Sequence, residues 1–166
     1  MAEKTLDNLF FDTLRDMYYA ERHIAKTLPK LADEAVSDKL VEAFLQHQKE
    51  TEQQIVRLEK VFSMIDRQPT SKRCEAIDGL LAEGDEVVEG FKGSPALDAG
   101  LIASAQAVEH YEIARYGTLR IWAKMLGLND GANLLGETLE EESRTDELLT
   151  KLAEAEANAR AKSGSN

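Results

Sequence analysis

Residues 101–119 read LIASAQAVEHYEIARYGTL, and their spacing decides the fold class. One set of positions repeats in steps of three and four, which is the spacing of one face of an α-helix. That face consists of Leu101, Ala105, Val108, Glu112, Tyr116 and Leu119. The stretch therefore predicts a helix whose buried face is apolar except for a carboxylate near its middle.

The same periodicity extends this helix to about residues 96–126 and recurs in four further segments. These cover about residues 6–31, 37–65, 72–89, and 132 into the mid-150s. Breaks with Pro or Gly separate them, such as Pro69 and the residue Gly127, which is placed to follow a helix C-terminus. No segment alternates with the period of a strand. The sequence predicts an all-α protein of four long helices and one short helix.

Short links make helix pairs 1–2 and 4–5 antiparallel hairpins, and the short helix lies in the long connection between them. This favours a ferritin-like four-helix bundle with an additional short helix in the crossover. A plain up-down-up-down bundle is the alternative. We expect the bundle to span residues 1–156. Residues 157–166 lack large apolar side chains, which predicts a frayed or disordered tail.

Composition restricts the class of function. The chain has 166 residues, enough for one domain, with 31 Asp and Glu against 20 Lys and Arg and a net charge of −11. That charge disfavours nucleic-acid and anionic-membrane partners. The single cysteine, Cys74, excludes an internal disulfide and a zinc site of the Cys-x-x-Cys type. No apolar run is long enough for a membrane span, and the N-terminus lacks the apolar core of a signal peptide, so we expect a cytoplasmic protein.

Each long helix carries acidic residues at positions that its apolar stripe assigns to the core. The candidates are Glu21 in helix 1, His47 and Glu50 in helix 2, Glu109 and Glu112 in helix 4, and Glu142 and Asp146 in helix 5. Counted from the midpoint of each hairpin, the two acids of each pair of helices lie at about the same height. Several carboxylates would therefore meet in the interior.

Buried carboxylates that face one another need protons, a basic partner or a metal cation. Two metal ions would neutralise four carboxylates, as in bundles with one Glu on each of two helices and Glu-x-x-His on the other two. Here Gln53 and Thr145 occupy the positions of those two histidines. The site would be rich in carboxylates, which favours iron first, then manganese or magnesium, over zinc. Glu21 and Glu142 would be terminal or bridging ligands and Glu50 and Glu112 bridging ligands, with the remaining candidates as further ligands.

A metal-free alternative stays open. In it the core carboxylates are protonated or paired with Arg115, His47 and tyrosines, and the protein is a non-catalytic dimeric structural or protein-interaction module.

Several segments resemble the YciE/YciF family of bacterial ferritin-like proteins. They are Tyr19–Glu21, His47–Thr51, Cys74–Leu80, residues 105–119 and Glu137–Glu142. The resemblance extends to about residue 155. It implies a ferritin-like helical bundle that often forms homodimers and is linked to bacterial stress responses. If iron binds, the expected chemistry is oxidation of ferrous iron by dioxygen or peroxide.

Overall fold

The computed structural model describes residues 4–164, and every regular element among them is helical, which confirms the all-α prediction. Five α-helices carry the fold, and a π-helical turn and a short sixth helix follow. They are α1 (Leu6–Glu34), α2 (Asp38–Met64), α3 (Glu75–Phe91), α4 (Leu97–Met125), α5 (Asn129–Leu152), the turn Ala153–Ala157 and α6 (Asn158–Ser163). None of the described helices is both long and apolar enough to cross a bilayer.

Most predicted helix ends lie within three residues of the observed ones. Gly127 has φ +75°, the left-handed conformation expected of a residue that follows a helix C-terminus. One of the three-residue differences has a visible cause: α3 begins at Glu75 and not at Lys72. The backbone N–H of Lys72 donates to the carbonyl of Arg15, 3.2 Å away, so this part of the connection is bound to α1 instead of starting the helix.

The four long helices pack side by side in a closed arrangement: α1 against α2, α2 against α5, α5 against α4, and α4 against α1. Asp98, in the first turn of α4, accepts hydrogen bonds from the backbone N–H groups of Val36 and Ser37, at 2.8 and 2.9 Å. Ser37 immediately precedes α2, so α2 and α4 begin at the same end and run in the same direction. The connection between them must therefore return along the helices, and α3 does so while packing on α4 and α1.

The segment predicted to be a frayed tail differs from that expectation within the described residues. It is helical as far as Ser163, and Ala157 is buried. The guanidinium of Arg160 lies 2.9 Å from the carboxylate of Asp98, which is only 2% exposed. A buried carboxylate needs a cationic or hydrogen-bonding partner. This ion pair therefore stabilises the packing of the C-terminal segment against α4. Residues 165 and 166 lie outside the described part of the chain.

Asp98→Asn is expected to lower the free energy of unfolding by about 2 kcal/mol. The amide keeps one acceptor, but its NH2 group would face a donor, and Arg160 would lose its anionic partner. Urea unfolding measures the difference, with Asp130→Asn in the exposed first turn of α5 as the matched control. Equal stability of the two variants would contradict the role of Asp98.

Candidate metal centre

Five ionisable side chains from all four long helices meet in the interior. Glu21 comes from α1, His47 from α2, Glu109 and Glu112 from α4, and Glu142 from α5. None is more than 3% exposed. We refer to these five residues as the interior cluster. All five were candidates from the sequence, and the structure brings them together.

The polar atoms of the interior cluster lie close enough to share a cation. One ligand atom each from His47, Glu109, Glu112 and Glu142 can be chosen so that all lie within 4.8 Å of one another. The Nε2 atom of His47 is 3.0 Å from Oε1 of Glu109 and 3.6 Å from Oε2 of Glu142. At the far side of the cluster, the hydroxyl of Tyr116 donates a hydrogen bond to Oε1 of Glu21.

When the carboxyl groups are ionised, many of these buried atoms lack a hydrogen-bond partner among the described residues; protonation lets Glu112 pair with Glu21 and Glu142 with Glu109. The unpartnered atoms are both carboxylate oxygens of Glu112 and of Glu142, Oε2 of Glu21 and of Glu109, and Nε2 of His47. The His47–Glu109 contact is short, but its direction is not that of a hydrogen bond. Each unsatisfied buried polar atom costs roughly 1–3 kcal/mol, and more if charged. Unpartnered carboxylate oxygens around one imidazole nitrogen are a donor set that fits divalent cations.

Burial raises the pKa values of three of the four carboxylates. Desolvation raises the pKa of Glu21 to about 7 and holds the pKa values of Glu112 and Glu142 well above their usual range. Neighbouring carboxylates of the same charge add to this effect for Glu112 and Glu142. Without a cation, the interior therefore favours the protonated, neutral forms of Glu112 and Glu142.

In His47 and Glu109, by contrast, attraction between the two side chains outweighs burial and favours the ionised forms. Burial opposes the charged form of His47, but attraction to Glu109 and Glu142 outweighs it and raises the His47 pKa well above the usual value. Burial likewise opposes ionisation of Glu109, but the charge on His47 lowers the Glu109 pKa. In the absence of a cation, these shifts favour an ion pair between His47 and Glu109 and protonated forms of the other carboxyl groups.

Glu50 does not join the interior cluster, contrary to the predicted bridging role. The buried face of α2 follows His47, Thr51, Gln54 and Leu58, and this series passes beside Glu50. The Glu50 side chain is 26% exposed, and its Oε2 lies 3.9 Å from Nδ1 of His47. Proximity to the His47 imidazole lowers the Glu50 pKa. Glu50 therefore lies at the edge of the cluster, next to solvent.

Asp146 is also placed differently from the sequence expectation. Its side chain is 21% exposed, and Oδ2 lies 3.0 Å from Nε2 of the exposed His110. Oδ1 accepts a hydrogen bond from the amide of Gln106 at 3.1 Å. Both carboxylate oxygens are thus occupied at the surface between α4 and α5.

Sequence reasoning missed a polar network beside the cluster, between α2 and α5. The guanidinium of Arg57 binds both carboxylate oxygens of Glu141, at 2.6 and 2.7 Å, and the amide of the buried Gln54 donates to the same carboxylate at 3.0 Å. Gln54 could have been found, because it continues the series of His47 in steps of three and four. Arg115, one of the partners named in the metal-free alternative, lies over the ring of Tyr111.

Thr145 stands where the two-metal pattern would place a histidine on α5. It is buried, and its hydroxyl oxygen lies 3.4 Å from Nδ1 of His47. The imidazole of His47, on α2, thus lies beside the position on α5 where the two-metal pattern has a histidine and this chain has Thr145. Thr145 and Glu50 lie on the Nδ1 side of the ring, which leaves Nε2 directed at the carboxylates.

Comparison with known proteins yields relatives that match nearly the whole chain. Residues 5–162 match the family described as a domain of unknown function, DUF892. Protein YciF of Escherichia coli strain K12 is 43% identical over 162 residues, which cover 97% of this chain and 98% of YciF.

Solved structures also match nearly the whole chain. The crystal structure of the E. coli stress protein YciF aligns with a TM-score of 0.87 and 44% identity, over 91% of this chain and 96% of that chain. YcfI from Rhodopseudomonas palustris, which has been suggested to be a structural protein, aligns with a TM-score of 0.86 and 44% identity, over 89% of this chain and 94% of that chain. The Xanthomonas campestris protein XCC3681 shares the fold at 20% identity and a TM-score of 0.75, over 97% and 99% of the two chains.

Proposed function

This chain belongs to the DUF892 family, in agreement with its resemblance to the YciE/YciF proteins, and we propose that it binds two divalent metal ions in the interior of a ferritin-like four-helix bundle. The observation that carries the proposal is the interior cluster, in which four carboxylates and one imidazole from all four long helices are buried, with most of their polar atoms unpartnered when the carboxylates are ionised. Burying these groups without partners lowers the free energy of unfolding, so a purely structural role does not account for the arrangement.

The charge of the cluster supports two ions. Glu21, Glu109, Glu112 and Glu142 would together carry four negative charges, which two divalent cations balance with His47 neutral. We propose that His47, Glu109 and Glu142 hold one ion, and that Glu21, Glu112 and Glu142 hold the other. The hydroxyl of Tyr116 orients Glu21 for this role, and Thr145 supports the ring of His47.

The donor set favours iron, with manganese or magnesium as the next choices. Carboxylate oxygens with a single nitrogen suit these ions, whereas protein zinc sites mostly use thiolates and several imidazoles. A pair of bound iron ions would supply electrons to dioxygen or peroxide, with ferrous iron oxidised to ferric. The protein would hold the carboxylates away from bulk water. Their negative charge would then balance the positive charge that each iron ion gains on oxidation.

The biological setting is proposed from the relatives. E. coli YciF is described as a stress protein, and we propose a role in the stress response for this chain. We also propose a homodimer. The outer face of α4 supports it, because Ile121 and Met125 are 53% and 70% exposed there, and large exposed apolar side chains are typical of contact surfaces.

A non-catalytic structural module with a metal-free core is the second candidate. The observation in its favour is that the protonated carboxyl groups and the His47–Glu109 pair leave the cluster nearly uncharged without metal. This candidate predicts that no metal remains bound after purification.

Metal analysis of protein purified without chelator separates the two candidates. We expect roughly two ions of iron or manganese per chain. Glu142→Gln should lose at least one of them, because Glu142 faces both proposed positions. Glu140→Gln, two residues earlier on the exposed face of α5, is the matched control and should keep both. Wild-type protein that binds neither metal, even after incubation with ferrous or manganous ion, would contradict the proposal.

A further inference from the structure

Cations that reach the interior cluster must pass between the side chains that bury it. Glu21, Glu112 and Glu142 are fully buried, and His47 and Glu109 are almost so. Divalent cations carry tightly held water, and they give it up where a carboxylate is available to replace it. A route into the cluster therefore needs a carboxylate that reaches both solvent and a cluster residue.

Glu50 has this position. It lies one helical turn after His47 on α2, and its side chain is half-buried at the surface of the protein. One oxygen, Oε1, accepts a hydrogen bond of 3.2 Å from the exposed Gln46. The other, Oε2, is directed toward Nδ1 of His47 at 3.9 Å, which is too long for a hydrogen bond.

The other partly exposed carboxylates near the cluster are held in place by strong partners. Asp146 is occupied by His110 and Gln106. Glu141 is bound at both oxygens by Arg57. Glu50 accepts one hydrogen bond, from an exposed amide, and its charge is also attracted by His47 and by the guanidinium of Arg144. Among the described residues, neither of these cations lies at hydrogen-bond distance from Glu50, so rotation about its side-chain bonds is the least costly of the three.

We propose that Glu50 is the uptake residue of the interior cluster, which captures divalent cations at the surface between α2 and α5 and passes them inward beside His47. The inference rests on the proposed function. In the outward position, the carboxylate of Glu50 is next to Gln46 and accessible to solvent. Turned inward, it delivers the cation to the side of the cluster formed by His47, Glu109 and Glu142. The net charge of −11 raises the concentration of cations around the protein and assists capture.

An uptake residue and a ligand have different kinetic signatures. An uptake residue lowers the barrier in both directions, so its loss slows association and release alike and leaves the dissociation constant nearly unchanged. Loss of a ligand weakens equilibrium binding, chiefly through faster release. The difference also separates this proposal from the bridging role that the sequence suggested for Glu50.

Stopped-flow absorbance of Co²⁺ binding to the full chain tests the proposal. We expect association with Glu50→Gln to be at least about tenfold slower than with wild type, and the dissociation constant to stay within about threefold. Glu50→Asp keeps the charge but has a shorter side chain, so it should also be slow. Glu52→Gln, on the exposed face of α2, makes the same charge change and should match wild type.

Two outcomes would overturn the uptake role while leaving the proposed function intact. One is association with Glu50→Gln as fast as with Glu52→Gln. The other is a dissociation constant weakened as much as in Glu142→Gln at an unchanged association rate, which would make Glu50 a ligand. Failure of the wild-type protein to bind Co²⁺ would instead overturn the proposed function, and the uptake role with it.

Discussion

Glu112→Gln is expected to stabilise the metal-free protein at pH 8 and, at the same time, to abolish tight metal binding. Glu112 is fully buried, both of its oxygens lack partners when it is ionised, and burial holds its pKa well above the usual range. Glutamine has nearly the shape of the protonated acid but cannot ionise. It therefore removes the cost of keeping a carboxyl group in the interior at high pH, and it also removes the negative charge that would bind a cation.

We expect the free energy of unfolding of the metal-free variant at pH 8 to rise by about 2 kcal/mol. Its affinity for Mn²⁺ should fall by at least about 100-fold, more than is common for residues that only support a ligand. Urea unfolding in the presence of chelator and isothermal titration calorimetry measure the two effects. Glu147→Gln, on the exposed face of α5, is the control for the loss of one charge. Lower stability together with unchanged Mn²⁺ affinity would identify Glu112 as a structural residue.

The metal-free protein is expected to lose stability steadily between pH 5 and pH 8. In the folded state the pKa of Glu21 is about 7, whereas in the unfolded chain Glu21 ionises near the ordinary glutamate pKa of 4.5. The unfolded state therefore releases this proton first, and stability falls as pH rises through the interval. Between pH 5 and pH 8, Glu21 alone contributes a loss of roughly 2–3 kcal/mol.

The raised pKa values of Glu112, Glu142 and His47 act in the same direction over this range. The lowered pKa of Glu109 acts in the opposite direction, but only at more acidic pH. Urea unfolding with chelator at pH 5, 6.5 and 8 measures the trend. Repeating the series with excess Mn²⁺ should remove most of the loss, because metal binding displaces protons and strengthens as pH rises. A metal-free protein that is as stable at pH 8 as at pH 5 would contradict the assigned protonation states.

The helices were predictable from local spacing, and so was the presence of buried acids. Apolar residues in steps of three and four identify the inward face of each helix, and Glu21, Glu112 and Glu142 fall on that face without ambiguity. The error arose where two polar residues lie one turn apart or less. A helix turns about 100° per residue, so a small rotation decides which of two neighbours is buried. In α2 the packing buries His47 and Thr51 and leaves Glu50 at the edge.

The long-range polar contacts could not be predicted from the sequence. The pairing of Asp98 with Arg160 joins residues 62 positions apart and keeps the last helix on the protein. No local pattern around Arg160 distinguishes it from a solvent-exposed base. The same holds for the contact of Arg57 with Glu141, whose partners lie on different helices and become neighbours only through the fold.

Anomalous scattering from crystals soaked in ferrous or manganous ion tests the central claim most directly. The account predicts two peaks roughly 4 Å apart inside the interior cluster. One should lie beside Nε2 of His47, and the other on the side of Glu21, with Glu142 reaching both. Crystals in which the same carboxylates contact only protons and neighbouring side chains, with no anomalous density between the four helices, would contradict it.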